Sequence, residues 1–243
     1  MTLYRDSGVV LRTYKLRESD RIVVLMTEQH GKVRAVARGV RKGSSKFGGR
    51  LEPLSHIALL LNEGRELDSV SQVESIDAFR SVREDYDRMS SGIAMLEAVD
   101  QIAQEREPNP KLYQMLVGAL RTLSARPAPL LVPPLLVPSF YWKVLAAAGV
   151  HPQLDVCVSC DESDGLVSFD LFEGGVQCRA CRRGVPISPG ALGLMRRILG
   201  GDMLSALNEP YSAAVHEVEI LATKAFEHHV ERRLRVVHTL GGS

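Results

Sequence analysis

Two cysteine pairs, Cys157-x-x-Cys160 and Cys178-x-x-Cys181, hold all four cysteines of the chain, and seventeen residues separate them. No other feature of the sequence restricts local structure as strongly. A two-residue gap lets two thiolates turn toward one centre. The second pair completes a tetrahedron around a soft-to-borderline cation, with zinc the usual occupant. Between the pairs, residues 166–171, then Glu173-Gly174-Gly175 and Val176, read as a hairpin with a glycine-containing turn. The expectation is a four-cysteine zinc ribbon within residues 154–184, with one structural zinc per chain on Cys157, Cys160, Cys178 and Cys181. A redox dithiol is the competing reading, but it needs one pair rather than two with matched spacing. A remnant with weak or no metal binding is a third.

Four thiolates leave no open coordination position, so a bound metal is expected to support structure rather than chemistry. The deaminase pattern is missing, since Val156 and Gln177 stand before the two pairs. The histidines offer no His-Glu-x-x-His, and His228-His229 reads as packed or solvated on the last helix. Secretion and membrane insertion are not expected. Arg5 and Asp6 stand where a signal peptide needs its apolar stretch, and no apolar run reaches the roughly 18 residues of a membrane span. A cytoplasmic location with reduced thiols follows as an expectation. With 45% apolar residues and a net charge of +1, the chain is not of the disordered class.

The first 80 residues read as strands. Residues 8–14, 21–27, 31–40, 54–62 and 67–76 are short runs rich in Val, Ile, Leu and Thr, separated by turn residues such as Glu18-Ser19-Asp20 and His30-Gly31. Five strands at this spacing predict a small all-β barrel over residues 1–80. From about Asp87 the period becomes helical: Met89, Ile93, Leu96 and Ala103, then Leu112, Leu116, Leu120 and Leu123. Further helices are expected at residues 140–148, after Ser188-Pro189 as N-cap and first residue, and at 212–233 with Ala214, Val218, Leu221 and Ala225 on one stripe. The layout is α+β and multidomain: an N-terminal OB-type barrel, then an all-α domain in two parts, 81–153 and 185–243, with the ribbon inserted between them. Within the first part, Pro129-Leu130-Leu131-Val132-Pro133 is repeated as Pro134-Leu135-Leu136-Val137-Pro138. A duplicated loop beside a helix start accounts for it best.

From Lys32 to Arg50 there are seven cations and no acid. Alternation puts Lys32, Arg34, Val36 and Arg38 on one strand face, opposite Val33, Ala35 and Ala37. Arg41, Lys42, Lys46 and Arg50 extend the charge onto a Gly- and Ser-rich loop. Such a run is usually a solvated face. Here it continues an Arg-bearing barrel strand, which favours a polyanion site on Arg34, Arg38, Arg41, Lys42, Lys46 and Arg50, with nucleic-acid phosphates as the best fit. Aromatic residues are few in this region, so phosphate contacts should dominate over base stacking and sequence preference should be weak.

The chain resembles the RecO family of bacterial recombination mediators over nearly its full length. The carrying residues are the opening Tyr4-Arg5-Asp6-Ser7-Gly8-Val9-Val10-Leu11-Arg12, Glu18-Ser19-Asp20-Arg21-Ile22-Val23, Gly31-Lys32-Val33-Arg34-Ala35-Val36-Ala37-Arg38-Gly39-Val40-Arg41 and Ser45-Lys46-Phe47-Gly48-Gly49-Arg50-Leu51-Glu52-Pro53, followed by the two cysteine pairs. The resemblance implies a DNA-repair protein that is not an enzyme. It implies binding of single- and double-stranded DNA, annealing of complementary strands, and loading of recombinase together with the partner RecR. It further implies contact with the acidic C-terminal tail of single-strand-binding protein, a nucleoid-associated location, and no membrane partner. The alternative from another class is a zinc-ribbon, OB-fold transcription or RNA-binding factor. A zinc hydrolase is third.

Overall fold

A computed structural model describes residues 2–40, 45, 47–125 and 132–230. The chain divides into two compact units, Met1–Leu130 and Leu131–Ser243.

The first unit opens with five strands: β1 (Leu3–Lys15), β2 (Arg21–Thr27), β3 (Gly31–Ala37), β4 (His56–Asn62) and β5 (Asp68–Asp77). They close into a barrel in the order β1-β2-β3-β5-β4. β1 joins β2 at one end and β4 at the other, and β3 meets β5 in parallel. This is the topology of the OB fold. Thirteen residues let β1 serve two neighbours, and a bulge between Val10 and Arg12 accommodates its bend. The strand starts five residues before the apolar run, because the polar Arg5-Asp6-Ser7 stretch pairs with Leu60, Leu59 and Ala58 of β4. Val10, Val23, Leu25, Val33, Ala35, Ile57, Leu59 and Leu61 fill the interior, with Phe47 and Leu51 from a 3-10 turn at Gly48–Leu51 packed against them.

β3 alternates as its sequence predicts, with Val33, Ala35 and Ala37 buried and Lys32, Arg34 and Val36 half-buried on the other face. It ends at Ala37, three residues short of the expected end. Gly39 takes a positive φ, and its N–H donates to the Asp20 carboxylate instead of a ladder carbonyl. At its other end Gly31 also has a positive φ, and a Cβ there would stand 1.9 Å from the Glu107 carbonyl oxygen. The glycine therefore admits the segment 104–107, which hydrogen-bonds along Lys32.

Three helices complete this unit: α1 (Arg80–Arg83), α2 (Tyr86–Ile102) and α3 (Pro110–Ala125). Asp85 caps α2 by accepting from the Arg88 N–H. The expected Leu112, Leu116, Leu120 and Leu123 face of α3 is buried. For α2 the expected stripe is shifted: Met89 is exposed and Ile93 half-buried, while Met95, Leu96, Ala98 and Val99 are buried. α2 packs against β1, α1 and α3 at once, so burial spreads beyond one stripe.

The second unit contains α4 (Leu136–Ala147), β6 (Leu166–Asp170), β7 (Gly175–Cys178), β8 (Val185–Pro186), α5 (Pro189–Leu199), α6 (Met203–Leu207) and α7 (Ala213–Val230). The second copy of the five-residue repeat forms the first turn of α4. Leu135, Leu136 and Pro138 are buried there, and the Leu136 N–H donates to the Pro133 carbonyl. Proline is tolerated in a first turn because that N–H has no intrahelical partner. The first copy lies partly outside the described residues. Ser188 accepts from the Ala191 N–H with Pro189 following, the expected start of α5. On α7 the buried stripe is Val215, Val218, Leu221, Ala222 and Phe226, while Ala214 and Ala225 flank it. Trp142 meets Phe169 edge-on with ring centres 5.7 Å apart, and Tyr141 meets Phe226 at 5.0 Å. These contacts attach α4 to both the β6 hairpin and α7.

Candidate metal centre and polyanion surface

Cys157 and Cys160 flank a tight turn, Cys178 ends β7, and Cys181 lies in the turn that follows. Backbone bonds hold both knuckles. Cys157 N–H donates to Glu162, Val158 N–H to Val176, Arg179 N–H to Gly165, and Cys181 N–H to Cys178. The four Sγ atoms all lie within 4.8 Å of one another, and Cys160 and Cys178 are 3.7 Å apart. A tetrahedral site with metal–sulfur bonds of about 2.3 Å has edges of about 3.8 Å. The residues therefore fit a four-thiolate cation site with no coordination position to spare.

The electrostatics point the same way. Burial opposes ionisation of Cys157, but N–H groups of Cys178, Ser159 and Cys160 donate to its sulfur and bring its thiol down to about 6. Cys181 is pushed up to about 12 by hydrogen bonding with Cys160 and Cys178. One thiolate thus forms readily, while Cys160 and Cys181, both pushed up, hold their protons until a cation offsets the repulsion.

Gln177, to which the sequence pattern assigns no role, organises the ribbon. Its side chain is buried, and its Oε1 accepts from the N–H groups of Arg183 at 2.9 Å and Gly184 at 3.2 Å. Its Nε2 donates to Asp170 at 3.1 Å. In the sequence, the residue before the second pair signals only the absence of a proline. Its role depends on partners the fold assembles.

On the barrel, Arg34 projects from the outer face of β3 and Arg38 is exposed just beyond the strand. Arg50 is exposed in the 3-10 turn, with Nη1 3.4 Å from the Phe47 carbonyl. Arg41, Lys42 and Lys46 lie outside the described residues. Strand register joins Arg12 to Arg34 through Val24, and Lys15 to Ala37 through Arg21. So Arg12, outside the Lys32–Arg50 run, shares the face of Arg34, whereas Lys15 and Arg21 align with Ala37 on the other face, with Arg17 in the turn between β1 and β2. The Arg12 guanidinium also stacks 4.7 Å over Tyr14.

This surface is less purely basic than the run suggests. Asp100 of α2 is 2.5 Å from Arg12 and 3.7 Å from Lys32, and Glu105 is 3.7 Å from Arg34. Glu52 pairs with Arg21 at 2.7 Å. Asp20, held below its usual carboxylate range by the Gly39 N–H, also feels Arg17 and Arg38. These acids come from outside the acid-free stretch, and β3 meets Asp100 and Glu105 because the chain following α2 pairs with the edge of β3 at Lys32.

A separate polar network closes another part of the barrel. Asp6, with a fully buried carboxylate, accepts from Ser7 and Gln29 N–H and lies 2.6 Å from His30 Nδ1. Tyr4 stacks on His30 and donates to Asp68, which also accepts from Gly64 N–H and Arg106. Burial opposes the charge on Asp68, but these three donors hold its carboxyl below the usual range. Every polar group here has a structural partner, so the network reads as a clasp on the β2–β3 turn and the 64–68 segment.

Among the described residues no helix is long and apolar enough to cross a membrane. Against known families, residues 1–79 match the model described as Recombination protein O N terminal. Residues 83–237 match the model described as Recombination protein O C terminal.

Proposed function

The chain belongs to the recombination protein O family and acts as a mediator in DNA recombination and repair; from that premise we propose that it binds single- and double-stranded DNA through the barrel and anneals complementary strands. The observation that carries this reading is the outer face of β1, β2 and β3, where cross-strand register sets Arg12 in one row with Arg34 across Val24, with Arg38 exposed just beyond β3. Cations in such a row neutralise the phosphates of two strands, lower their repulsion and raise their encounter rate. Arg41, Lys42, Lys46 and Arg50 extend the row in this reading. No covalent step is involved.

The metal is zinc, one per chain, held by Cys157, Cys160, Cys178 and Cys181. When bound, it cross-links the two knuckles and leaves no site for a reacting water. Partners in this reading are RecR, with which recombinase is loaded onto coated single strands, and the acidic C-terminal tail of single-strand-binding protein. The protein works in the cytoplasm at the nucleoid.

A salt titration tests the barrel surface. Each neutralised phosphate contributes about 0.7 to 0.9 to the slope of log affinity against log salt, so four to six contacts give roughly −3 to −5. Replacing Arg38 and Arg41 together by Ala should reduce the magnitude of that slope by about 1.5 to 2. Affinity should drop similarly for different base sequences. An unchanged slope and affinity in a folded double variant overturns the assignment.

A further inference from the structure

The zinc ribbon segregates its charge. Its six acids, Asp155, Asp161, Glu162, Asp164, Asp170 and Glu173, stand before the second cysteine pair, while its three cations, Arg179, Arg182 and Arg183, stand within and just after it. All three arginines are exposed, and among the described residues none forms an ion pair. Two open hollows of about 350 and 490 Å³ adjoin on this side and share Arg183, Gly184 and Pro186. Arg182 lines the first. Phe172, Lys224 and His228 line the second, where α7 faces the ribbon.

The exposed ring is the unusual element. Phe172 is 82% exposed, the highest among the large apolar side chains that face solvent in the described chain. Its backbone is tied into the turn. The N–H groups of Phe172 and Glu173 both donate to Asp170 Oδ1, at 2.9 and 3.1 Å. The ring stands 6.3 Å from His228, edge toward face. Asp170, the one acid among the residues lining either hollow, is tied by these two bonds and by Gln177. The cations are equally fixed at their base. Gln177 clamps the Arg183 and Gly184 backbone, and a Cβ at Gly184 would stand 2.0 Å from the Phe169 carbonyl oxygen, so only glycine lets this segment lie so close to β6.

We propose that this face of the ribbon and α7 is a second nucleic-acid contact that takes a single strand, with phosphates on Arg182, Arg183 and Lys224 and an unstacked base on Phe172. It rests on the reading that the protein binds DNA and adds a surface in the other compact unit. Cations along an edge beside a projecting aromatic ring are the pattern of single-strand sites, where every base offers a face to stack. An acidic peptide with an apolar end is a poorer fit, because its last side chain needs a closed apolar hole. Here the main apolar group points outward. A contact of this kind separates two roles: phosphate binding on the barrel for either DNA form, and stacking on the ribbon for unpaired bases alone.

The experiment uses the full-length zinc-loaded protein. Irradiating it with an iodouracil-substituted oligothymidylate should cross-link the peptide carrying Phe172, as read by mass spectrometry. Phe172→Ala should weaken binding of the oligothymidylate by at least about fivefold, the loss of one stacked base, and leave a duplex of equal length unaffected. Phe172→Trp should restore binding. Arg182→Ala with Arg183→Ala should lower the single-strand salt slope by about 1.4. Zinc content near one per chain checks that each variant is folded. Cross-links confined to the barrel, or unchanged single-strand binding in folded Phe172→Ala and double-arginine variants, overturn the proposal. Loss of binding in an Arg34→Ala, Arg38→Ala variant alone then leaves the barrel reading standing, whereas no loss in either set removes both. An acidic peptide that binds the wild type but not the double-arginine variant, with DNA binding intact in that variant, assigns the face to a peptide and also overturns it.

Discussion

His56 shows how one buried side chain carries a pH dependence. Its Nε2 lies 2.7 Å from the Tyr113 hydroxyl, and its Nδ1 has no partner among the described residues. Burial disfavours the charged ring, with a smaller push from Arg121, so its pKa lies below the usual 6.5. The sign follows from linkage. Below about pH 6.5 the unfolded chain takes up a proton that the folded chain refuses, so folding stability falls as pH drops through that range. Urea unfolding between pH 7.5 and 5 should show this slope, and His56→Gln should flatten it. Tyr113→Phe should cost about 1–3 kcal/mol at neutral pH, since it leaves a buried ring nitrogen unpaired. A loss well under that, measured at constant m, would mean the pair contributes little. Asp68 acts in the opposite sense to a group with a raised pKa. Its depressed pKa gives stability that is present above the ordinary carboxylate range and lost as pH falls through the folded value.

At the scale of elements, two helical glycines separate close packing from mere propensity. In α2, a Cβ at Gly92 would stand 2.8 Å from Leu54 Cδ2 and 3.4 Å from Val82 Cγ1. Leu54 itself is buried with a φ of 72°, so it has little room to yield. In α3, Gly118 is exposed and nothing lies within 4 Å of such a Cβ. Gly118→Ala should therefore stabilise by about 0.5–1 kcal/mol through helix propensity and unfolded-state entropy. Gly92→Val should destabilise by about 1–3 kcal/mol through overpacking. Thermal unfolding of the two variants checks both signs, and the same sign for both would refute the packing argument. The helical period of these segments was legible in their sequence, but the direction each face points was not. Met89 fits the apolar stripe of α2 yet is exposed, because three different elements pack on that helix.

For the whole molecule, the two compact units give separate signals. Trp142 is the single tryptophan of the chain, and it packs edge-on against Phe169 of the ribbon hairpin. Its emission therefore reports on the second unit. A structural metal contributes folding free energy, so chelation should shift Trp142 emission and lower the thermal transition seen through it. Cys157→Ala should reproduce this, because Cys157 is one of the two buried cysteines of the cluster and its sulfur accepts from three N–H donors. If the barrel is the duplex-DNA site, as proposed above, the salt slope for duplex DNA should change little after chelation. Metal analysis alongside fluorescence decides the matter: a metal-free protein with unaltered Trp142 emission and transition temperature would remove the structural role.

Features whose causes are local in the chain were readable from the residues alone. The cysteine spacing, the Ser188-Pro189 start of α5, the alternation of β3 and the Leu112–Leu123 stripe of α3 all arise from groups a few bonds or one turn apart. The five barrel strands were readable too, because period-two patterning depends only on which face is buried. What tertiary structure decided is who faces whom across long separations. The run from Lys32 to Arg50 holds no acid, yet Arg34 faces Glu105 and Lys32 faces Asp100, about 70 residues on. Asp6 and Asp68 are strand carboxylates that became buried only because His30, Tyr4 and Arg106 converge on them. Gln177 became the hub of the ribbon by the same means. Burial and charge compensation are sums over neighbours in space, and a linear pattern records only the neighbours along the backbone.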